Sequence, residues 1–533
     1  MPERLQDWVT AQAASRPERS AVVHGAVRLT YGDVERLSSQ LARTLREVGC
    51  RKGDRVAVLM PKSPMAIVSL LGIYKADAIY VPLDPASPPS RLAKVLASCD
   101  NRWLLAASVA PSELKPLFAG ETGRADMALG WLGADEVDDA EWSPAFTLGD
   151  VTSMPSDLAP SENHADAAAH ILFTSGSTGT PKGVVITHAN VIAFVEWATR
   201  YFGMEASDRV SGHPPLHFDL SFFDVFGALA VGAELHLIPA ELSLLPNKLA
   251  DLIRNAALTQ WFSVPSALTY MAHFDAVRPG DFPALRRVLW CGEVLPTPTL
   301  IHWMQRLPHV QFTNLYGPTE ATIASSYHTV PVCPADPQAP VPIGRPCDGE
   351  ELLVLDEGLR PVPPGETGDL YIAGVGVSPG YWRDAERTAA VFVARPDRPS
   401  GRIYRTGDLA RVGDDGLVYF LGRADSQIKS RGYRIELGEI EAALNAVAGV
   451  QESAVVALRT NGFEGTAICC AYVPAAGAAV TPASLRVALR EQLPGYMLPA
   501  RWLAFDQFPK NANGKIDRPR LKEVFASHEA QVT

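Results

Sequence analysis

No stretch of about 18 uninterrupted apolar residues occurs anywhere in the 533-residue chain, so no membrane span is expected. The first twenty residues, MPERLQDWVTAQAASRPERS, hold no apolar core of the kind that directs secretion. Basic residues are the minority, 48 Lys and Arg against 59 Asp and Glu, for a net charge of −11. Such a chain has no cationic excess to replace counterions, which argues against a nucleic-acid partner while leaving room for a local nucleotide pocket. The 7 cysteines (Cys50, Cys99, Cys291, Cys333, Cys347, Cys469 and Cys470) are odd in number and include no CxxC pair. That pattern offers neither a disulfide framework nor a zinc site, and it points to a reduced, cytoplasmic protein. What remains is ordinary for a soluble globular protein, 47% hydrophobic and 20% charged, and long enough for roughly two to four compact units.

Strand-like and helix-like runs alternate near the N-terminus. LTYGDVERLSSQLARTLREVG places Val34, Leu37, Leu41 and Leu45 on one helical face. DRVAVLM (residues 54–60) reads as a buried strand, residues 64–74 as a helix, and IYVPLDP as a strand ending in a turn. Alternation of this kind predicts an α/β fold with a largely parallel sheet, and such sheets hold ligands at the loops leaving the strand C-termini. Residues 120–168, rich in Asp, Glu, Ser, Ala and Pro, read as surface excursions. Residues about 340–424 carry short β-like runs (ELLVLD, GDLYIAG, GLVYFLGR) among Gly and Pro and predict a small β-rich subdomain. After Asp425 the pattern returns to helix and strand in IELGEIEAALNAV and QESAVVAL. The expected domains are therefore an N-terminal core over 1–424 and a small α+β C-terminal lobe over 425–533.

The strongest local signal follows the apolar run Ile171-Leu172-Phe173. It is the loop Thr174, Ser175, Gly176, Ser177, Thr178, Gly179, Thr180, Pro181, Lys182, Gly183. Glycines let backbone N–H groups turn toward an anion, hydroxyls add donors, and Lys182 adds a positive charge. The common P-loop needs Gly before its Lys and Ser or Thr after it, whereas Pro181 and Gly183 stand there. Alone, such a loop also suits a flexible linker; the apolar runs HILF and VVITH on either side favour a phosphate loop.

TSGSTGTPKG resembles the signature of the AMP-forming adenylating superfamily, which includes acyl-CoA synthetases, luciferases and the adenylation domains of nonribosomal peptide synthetases. IYVPLDP, HFDLSFFD, NLYGPTE, GDLYIAGVGVSPGYW, YRTGDL, GRADSQIKSRGYRIELGEIE, LPGYMLP and NGKIDR resemble further motifs of the peptide-synthetase branch, in its order and over nearly the whole chain. The resemblance implies ATP and Mg²⁺ as cofactors and a reaction in two halves: a carboxylate attacks the α-phosphorus of ATP, then a phosphopantetheine thiol displaces AMP. Such phosphoryl chemistry rests on positioning and charge neutralisation.

By that resemblance Tyr316 stacks on adenine with Phe420 on the other side, Thr319 contacts the α-phosphate, and Glu320 holds Mg²⁺, a hard cation suited to carboxylate oxygen. Asp408 resembles the carboxylate that holds the ribose hydroxyls, and Arg423 a second ribose contact. Lys515 would bridge the substrate carboxylate and the phosphate, neutralising two anions that must meet. Asp425 matches a hinge about which the C-terminal lobe rotates, and Lys429 would face the site in the thiol-transfer pose.

Asp219 matches the position that pairs with a substrate α-ammonium in amino-acid-activating members. A buried carboxylate is costly without a partner, so a cation is expected to arrive. Frame matching sets the other pocket walls at Leu220, Phe223, Ser263, Leu289, Cys291, Leu315, Gly317, Ile323 and Ala324, with Ser263 offering a hydroxyl. No wall residue is charged, and the bulk implies a small substrate: alanine first, then serine, glycine, proline or cysteine. With no carrier segment after NGKIDR, the expected acceptor is a discrete carrier protein and the expected state a monomer. The alternatives are an acyl- or aryl-CoA ligase of the same superfamily, which would not need Asp219, and a catalytically dead scaffold, against which Lys182, Glu320, Asp408, Lys429 and Lys515 together argue.

Two departures from the family pattern stand out: Asp77 in Lys75-Ala76-Asp77-Ala78 where a small residue is usual, and Val377-Ser378-Pro379-Gly380 in place of an Ala-Arg-Gly-Tyr run.

Overall fold

The helix expected from Val34, Leu37, Leu41 and Leu45 runs Tyr31–Glu47 in the computed structural model, started by a capping box between Thr30 and Asp33. Val34, Leu41 and Leu45 are fully buried; Leu37 is half-buried at the margin of the stripe. The structure describes residues 2–118, 127–133, 143–176, 180–460, 466–511 and 515–532.

Strands Arg55–Leu59, Ile79–Pro82, Trp103–Ala106 and Ala128–Trp131 are parallel members of an eight-stranded sheet. Ala168–Thr174 joins it beside Ile79–Pro82 and turns back antiparallel into Lys182–Thr187, so the phosphate loop is the tip of a hairpin. Residues 120–168 differ from the surface connector expected of them. Met127, Leu129 and Trp131 are buried, and Phe146–Thr147 adds a further strand, because three apolar residues at strand spacing suffice to extend the sheet despite acidic flanks.

A nine-stranded sheet holds the parallel neighbours Arg209–Gly212, Gln260–Ser263, Arg287–Trp290 and Gln311–Tyr316. The helix Leu220–Val231 is apolar nearly all round and lies in the core that joins the two sheets. Phe222 stacks on His170 with ring centres 3.9 Å apart, and Phe226 stacks on Tyr74 at 6.1 Å. Both phenylalanines are almost fully buried, and truncating either to Ala would cost about 3–5 kcal/mol. This packing fixes the helix that Asp219 immediately precedes.

Five antiparallel strands, Glu350–Leu355, Gly368–Gly374, Phe392–Arg395, Arg398–Val412 and Val418–Arg423, form the β-rich part. Beyond it come a two-stranded hairpin, Gln427–Ser430 with Tyr433–Glu436, and a three-stranded sheet of Val450–Arg459, Thr466–Pro474 and Arg501–Ala504 with the helices Leu437–Asn445 and Pro482–Arg490 against it. We refer to residues 427–532 as the C-terminal lobe. Among the described residues no helix is long and apolar enough to cross a membrane.

Both departures have local reasons. Asp77 has a left-handed backbone (φ 62°), which Asp tolerates better than most residues, and its carboxylate takes bonds from the Ser161 hydroxyl, the Glu162 amide and Arg46. Ser378 is buried and donates to the Val185 carbonyl at 2.6 Å, tying its segment to the phosphate hairpin.

Candidate active site

Three neighbouring parallel strands end at Ser263, Trp290 and Tyr316, and the C-terminal ends of such strands are where these sheets hold ligands. Leu220, Phe223, Leu289, Cys291, Leu315, Ile323 and Ala324 are all buried in a single apolar cluster there. Phe223 is held edge-on by Phe194 at 5.4 Å and by Phe262 at 5.8 Å. Thr322 and Ile323 both have left-handed backbones (φ 56° and 65°), strained for β-branched residues, and the Thr322 hydroxyl donates to the Gly376 carbonyl at 2.7 Å. Gly317 is required by closeness: a Cβ there would lie 2.6 Å from the Ala324 Cα. Burial pushes the Cys291 thiol up to about 12, so it stays neutral. Ser263 differs from expectation: its hydroxyl accepts from the Trp261 indole at 2.9 Å and donates to the Val264 carbonyl at 3.3 Å, so it is already engaged.

Asp219 enters this apolar wall just before the helix Leu220–Val231. Removal from bulk water pushes its carboxyl up to about 6, opposed by the Thr319 hydroxyl, the Leu220 amide and Lys429. Thr319, expected at a phosphate, thus turns its hydroxyl toward Asp219 here.

Beside this pocket, the Tyr316 hydroxyl donates to Asp408, and Arg423 reaches the other Asp408 oxygen at 2.8 Å. Arg423 also grips Asp425 through two bonds of 2.7 and 2.5 Å. A continuous polar chain therefore runs Tyr316–Asp408–Arg423–Asp425. Phe420 faces Tyr316 with ring centres 6.5 Å apart.

The phosphate hairpin brings Lys182 to Glu320 at 3.2 Å, and the Tyr381 hydroxyl donates to Glu320 at 2.7 Å. Arg434 of the C-terminal lobe reaches both Glu320 oxygens, at 2.9 and 2.7 Å. Burial alone would raise the Glu320 carboxyl, but Arg434 and Lys182 outweigh it and hold it well below the usual carboxylate range. Gly176 has no room for a side chain, since a Cβ would meet the Thr180 carbonyl at 2.1 Å. The Thr174 hydroxyl is buried with no partner among the described residues. The Ser175 hydroxyl donates to the Arg434 carbonyl at 2.7 Å. Ser177, Thr178 and Gly179 lie outside the described residues.

The lobe is docked by its hairpin. Gly432 (φ 81°) fits against Val264, where a Cβ would come within 2.5 Å, and its amide donates to Glu293 at 2.9 Å. Tyr433 meets Phe218 edge-on at 5.0 Å. Arg91 of the core and Glu439 of the lobe form a buried ion pair. In this pose Lys429 stands over the Tyr316 ring, 5.8 Å from its centre. Lys515 is not brought to the cleft: it is exposed, and its backbone exchanges hydrogen bonds with Asn511 in its own turn. In this pose it is the hairpin, through Arg434, that the lobe presents to Glu320.

Sequence reasoning passed over Arg434 and Tyr381, although both stand in quoted motifs; a cation at strand spacing between Tyr433 and Ile435 was the available signal. It also passed over Lys62, which is pushed down to about 7 by burial and donates to the Gly212 and His213 carbonyls at 2.7 and 2.5 Å.

The hairpin that ends at Lys182, the apolar cluster beside Asp219 and the docked small lobe are the parts to set against known proteins. The profile described as AMP-binding enzyme matches residues 9–382, and that described as AMP-binding enzyme C-terminal domain matches residues 439–515. The chain belongs to the AMP-binding enzyme family and is a ligase of that superfamily with the adenylation-domain fold. It is 37% identical over 526 residues to the L-proline–[L-prolyl-carrier protein] ligase of Streptomyces coelicolor, covering 97% of this chain and 95% of that one. It is 37% identical over 515 residues to CymA of Salinispora arenicola, a probable non-canonical nonribosomal peptide synthetase; the chain spans 6% of that relative's length and 14% of surfactin synthase subunit 2 from Bacillus subtilis. Among solved structures, the Vibrio cholerae adenylation domain AlmE in complex with glycyl-adenosine-5'-phosphate superimposes with a TM-score of 0.85 at 25% identity, over 99% of this chain and 98% of that one.

Proposed function

We propose that this protein is cytoplasmic, activates a small α-amino acid with ATP and passes it to the phosphopantetheine thiol of a discrete carrier protein. The observation that carries the reading is Asp219, a carboxylate at the edge of the apolar cluster, met by the Thr319 hydroxyl and the Leu220 amide with Lys429 in range, and still pushed up to about 6 by burial. A substrate ammonium would return the Coulomb energy that its burial costs. The bulk of the uncharged residues Leu220, Phe223, Leu289, Leu315 and Ile323, with Phe223 held edge-on by Phe194, favours alanine, then serine, glycine, proline or cysteine. The prolyl-carrier protein ligase and the glycyl-adenylate complex among its relatives support a small α-amino acid, and the near full-length match to the former supports a separate carrier.

In the first half-reaction one substrate carboxylate oxygen bonds to the α-phosphorus and the bond to pyrophosphate breaks. Lys515, swung in by rotation of the lobe about Asp425, neutralises both anions at that point. Lys182 and the phosphate loop hold the leaving phosphates, Asp408 and Arg423 the ribose, and Tyr316 and Phe420 the adenine. In the second half-reaction the lobe takes the pose described above, and Lys429 faces the adenylate while the thiol attacks its carbonyl and AMP departs. Glu320 would hold Mg²⁺, which supplies charge neutralisation on the phosphates when bound. One buried carboxylate fits an ion that keeps most of its waters and takes other ligands from phosphate. Arg434 reaches both Glu320 oxygens in the docked pose, so Glu320 would be open to Mg²⁺ in a pose from which Arg434 has withdrawn.

The test is amino-acid-dependent ATP–pyrophosphate exchange across the proteinogenic acids and a panel of aryl and fatty acids. Exchange confined to small α-amino acids is expected; exchange with acids lacking an α-ammonium would overturn the reading.

A further inference from the structure

The strained turn at Thr322 and Ile323 is held from outside the acid pocket. Its Thr322 hydroxyl donates to the Gly376 carbonyl at 2.7 Å, and the Gly376 amide donates to Glu350 Oε1 at 2.6 Å. One residue is thus clamped on both sides, by a hydroxyl of the pocket turn and by a carboxyl of the β-rich part. Glu350 opens the strand Glu350–Leu355 and lies opposite Gly374 in its register. Gly376 is required by closeness: a Cβ there would come within 2.7 Å of Glu350 Oε1 and 2.8 Å of the Ala321 carbonyl.

The segment around Gly376 is fastened at three further points. Asn190 donates to the Val375 carbonyl at 2.6 Å, the Ser378 amide to the Glu320 carbonyl at 2.9 Å, and the Ser378 hydroxyl to the Val185 carbonyl. The departure noted at Val377–Gly380 therefore lies in a belt that joins the phosphate hairpin, Glu320 and the pocket turn. Left-handed β-branched residues persist only where surrounding contacts over-determine them, and Ile323 is buried in the same apolar cluster as Phe223 and Leu289. Glu350 Oε2 is buried and has no hydrogen-bond partner among the described residues. Burial pushes this carboxyl up to about 8 against the pull of the Gly376 amide, so near pH 7 it is mostly the neutral acid, which a glutamine imitates in shape and acceptor.

We propose that Glu350 is a positioning residue for substrate selection: through Gly376 it holds the Thr322–Ile323 turn in place and so sets the size of the acid pocket. The proposal rests on the pocket assigned in the functional reading above and adds to it a residue that stands outside its walls. With the clamp released, Ile323 can leave its left-handed conformation, which loosens the fit to a small acid and admits a larger one.

The experiment uses the full-length protein with Glu350→Leu, Glu350→Gln, Thr322→Val and the double variant of Glu350→Leu with Thr322→Val, each checked by thermal melt against the parent. In ATP–pyrophosphate exchange, Glu350→Leu should raise the KM for the small acid best activated by the parent at least fivefold, while the KM for ATP moves less than twofold. Its preference for that acid over valine should fall at least threefold. Glu350→Gln should stay within twofold of the parent in all three. The double variant should lie within twofold of the poorer single variant, because both act through Gly376. Without substrate, deuterium uptake over residues 319–327 should quicken at least tenfold in Glu350→Leu and not in Glu350→Gln. An unchanged KM for the acid, a parallel rise in the KM for ATP, effects that multiply in the double variant, or unchanged uptake would each overturn the proposal. So would a Glu350→Gln variant as impaired as Glu350→Leu. If Glu350→Leu fails to fold, Thr322→Val and Thr322→Ser test the clamp from its other end: Val should raise the KM for the acid, Ser should not, and equal behaviour of the two would overturn it. Should the parent activate only acids lacking an α-ammonium, the functional reading fails, and the same comparison on such an acid still decides the role of Glu350.

Discussion

Two lysines of the C-terminal lobe make an instructive contrast. Lys429, on the hairpin next to Arg434, stands over the Tyr316 ring in the cleft. Lys515 is exposed, with its backbone bonds closed on Asn511. Both belong to one packed body, since the sheet Val450–Arg459 with Thr466–Pro474 contributes to the apolar cluster under the hairpin and to the one under Ile516. A rigid body that shows one lysine to a site withholds the other, so two chemistries at one cleft require rotation of the body rather than rearrangement within it.

The largest effect expected from breaking this contrast is at Lys515. Lys515→Ala should lower amino-acid-dependent ATP–pyrophosphate exchange more than 100-fold, while thiol transfer from supplied aminoacyl adenylate changes less than threefold. Lys429→Ala should do the reverse, and equal losses in both assays for either variant would end the division of labour. Next comes the docking contact. Arg434→Met removes one partner of a buried ion pair and should weaken lobe docking by about 3–5 kcal/mol. Distance measurement between labels on the core and the lobe should show the docked population fall, and an unchanged distance distribution would contradict the assignment.

Smaller is the pH response of Asp219. Its carboxyl, pushed up to about 6, must be ionised to receive an ammonium. The kcat/KM for the amino acid should therefore fall as pH drops through about 6, and Asp219→Asn should be weak and flat over that range. The same shift costs stability when the group is ionised: the penalty is absent below the ordinary carboxylate range and fully present above about 6, so Asp219→Asn should melt higher than the parent at pH 7. Smallest is Ser263→Ala. Because that hydroxyl is engaged by Trp261 and Val264, the KM for the amino acid should change less than threefold, and a larger change would show that it turns to the substrate.

The sequence by itself determined the loop between two apolar strand runs around Thr174–Lys182, the amphipathic helix after Thr30 and the apolar run after Asp219. In each the information is local: glycines and hydroxyls at fixed spacing, a cap, or a hydrophobic period. It did not reveal that Met127–Trp131 joins a sheet, because burial of a short apolar run is decided by the edge strand that awaits it. It did not reveal that Arg434 would grip Glu320 across 114 residues, or that Glu350 would reach Gly376 behind the Thr322–Ile323 turn. Those pairings are set by how a whole lobe docks and how one sheet meets another. Contacts between distant segments follow from packing as a whole, and only the tertiary structure decided which charges face each other.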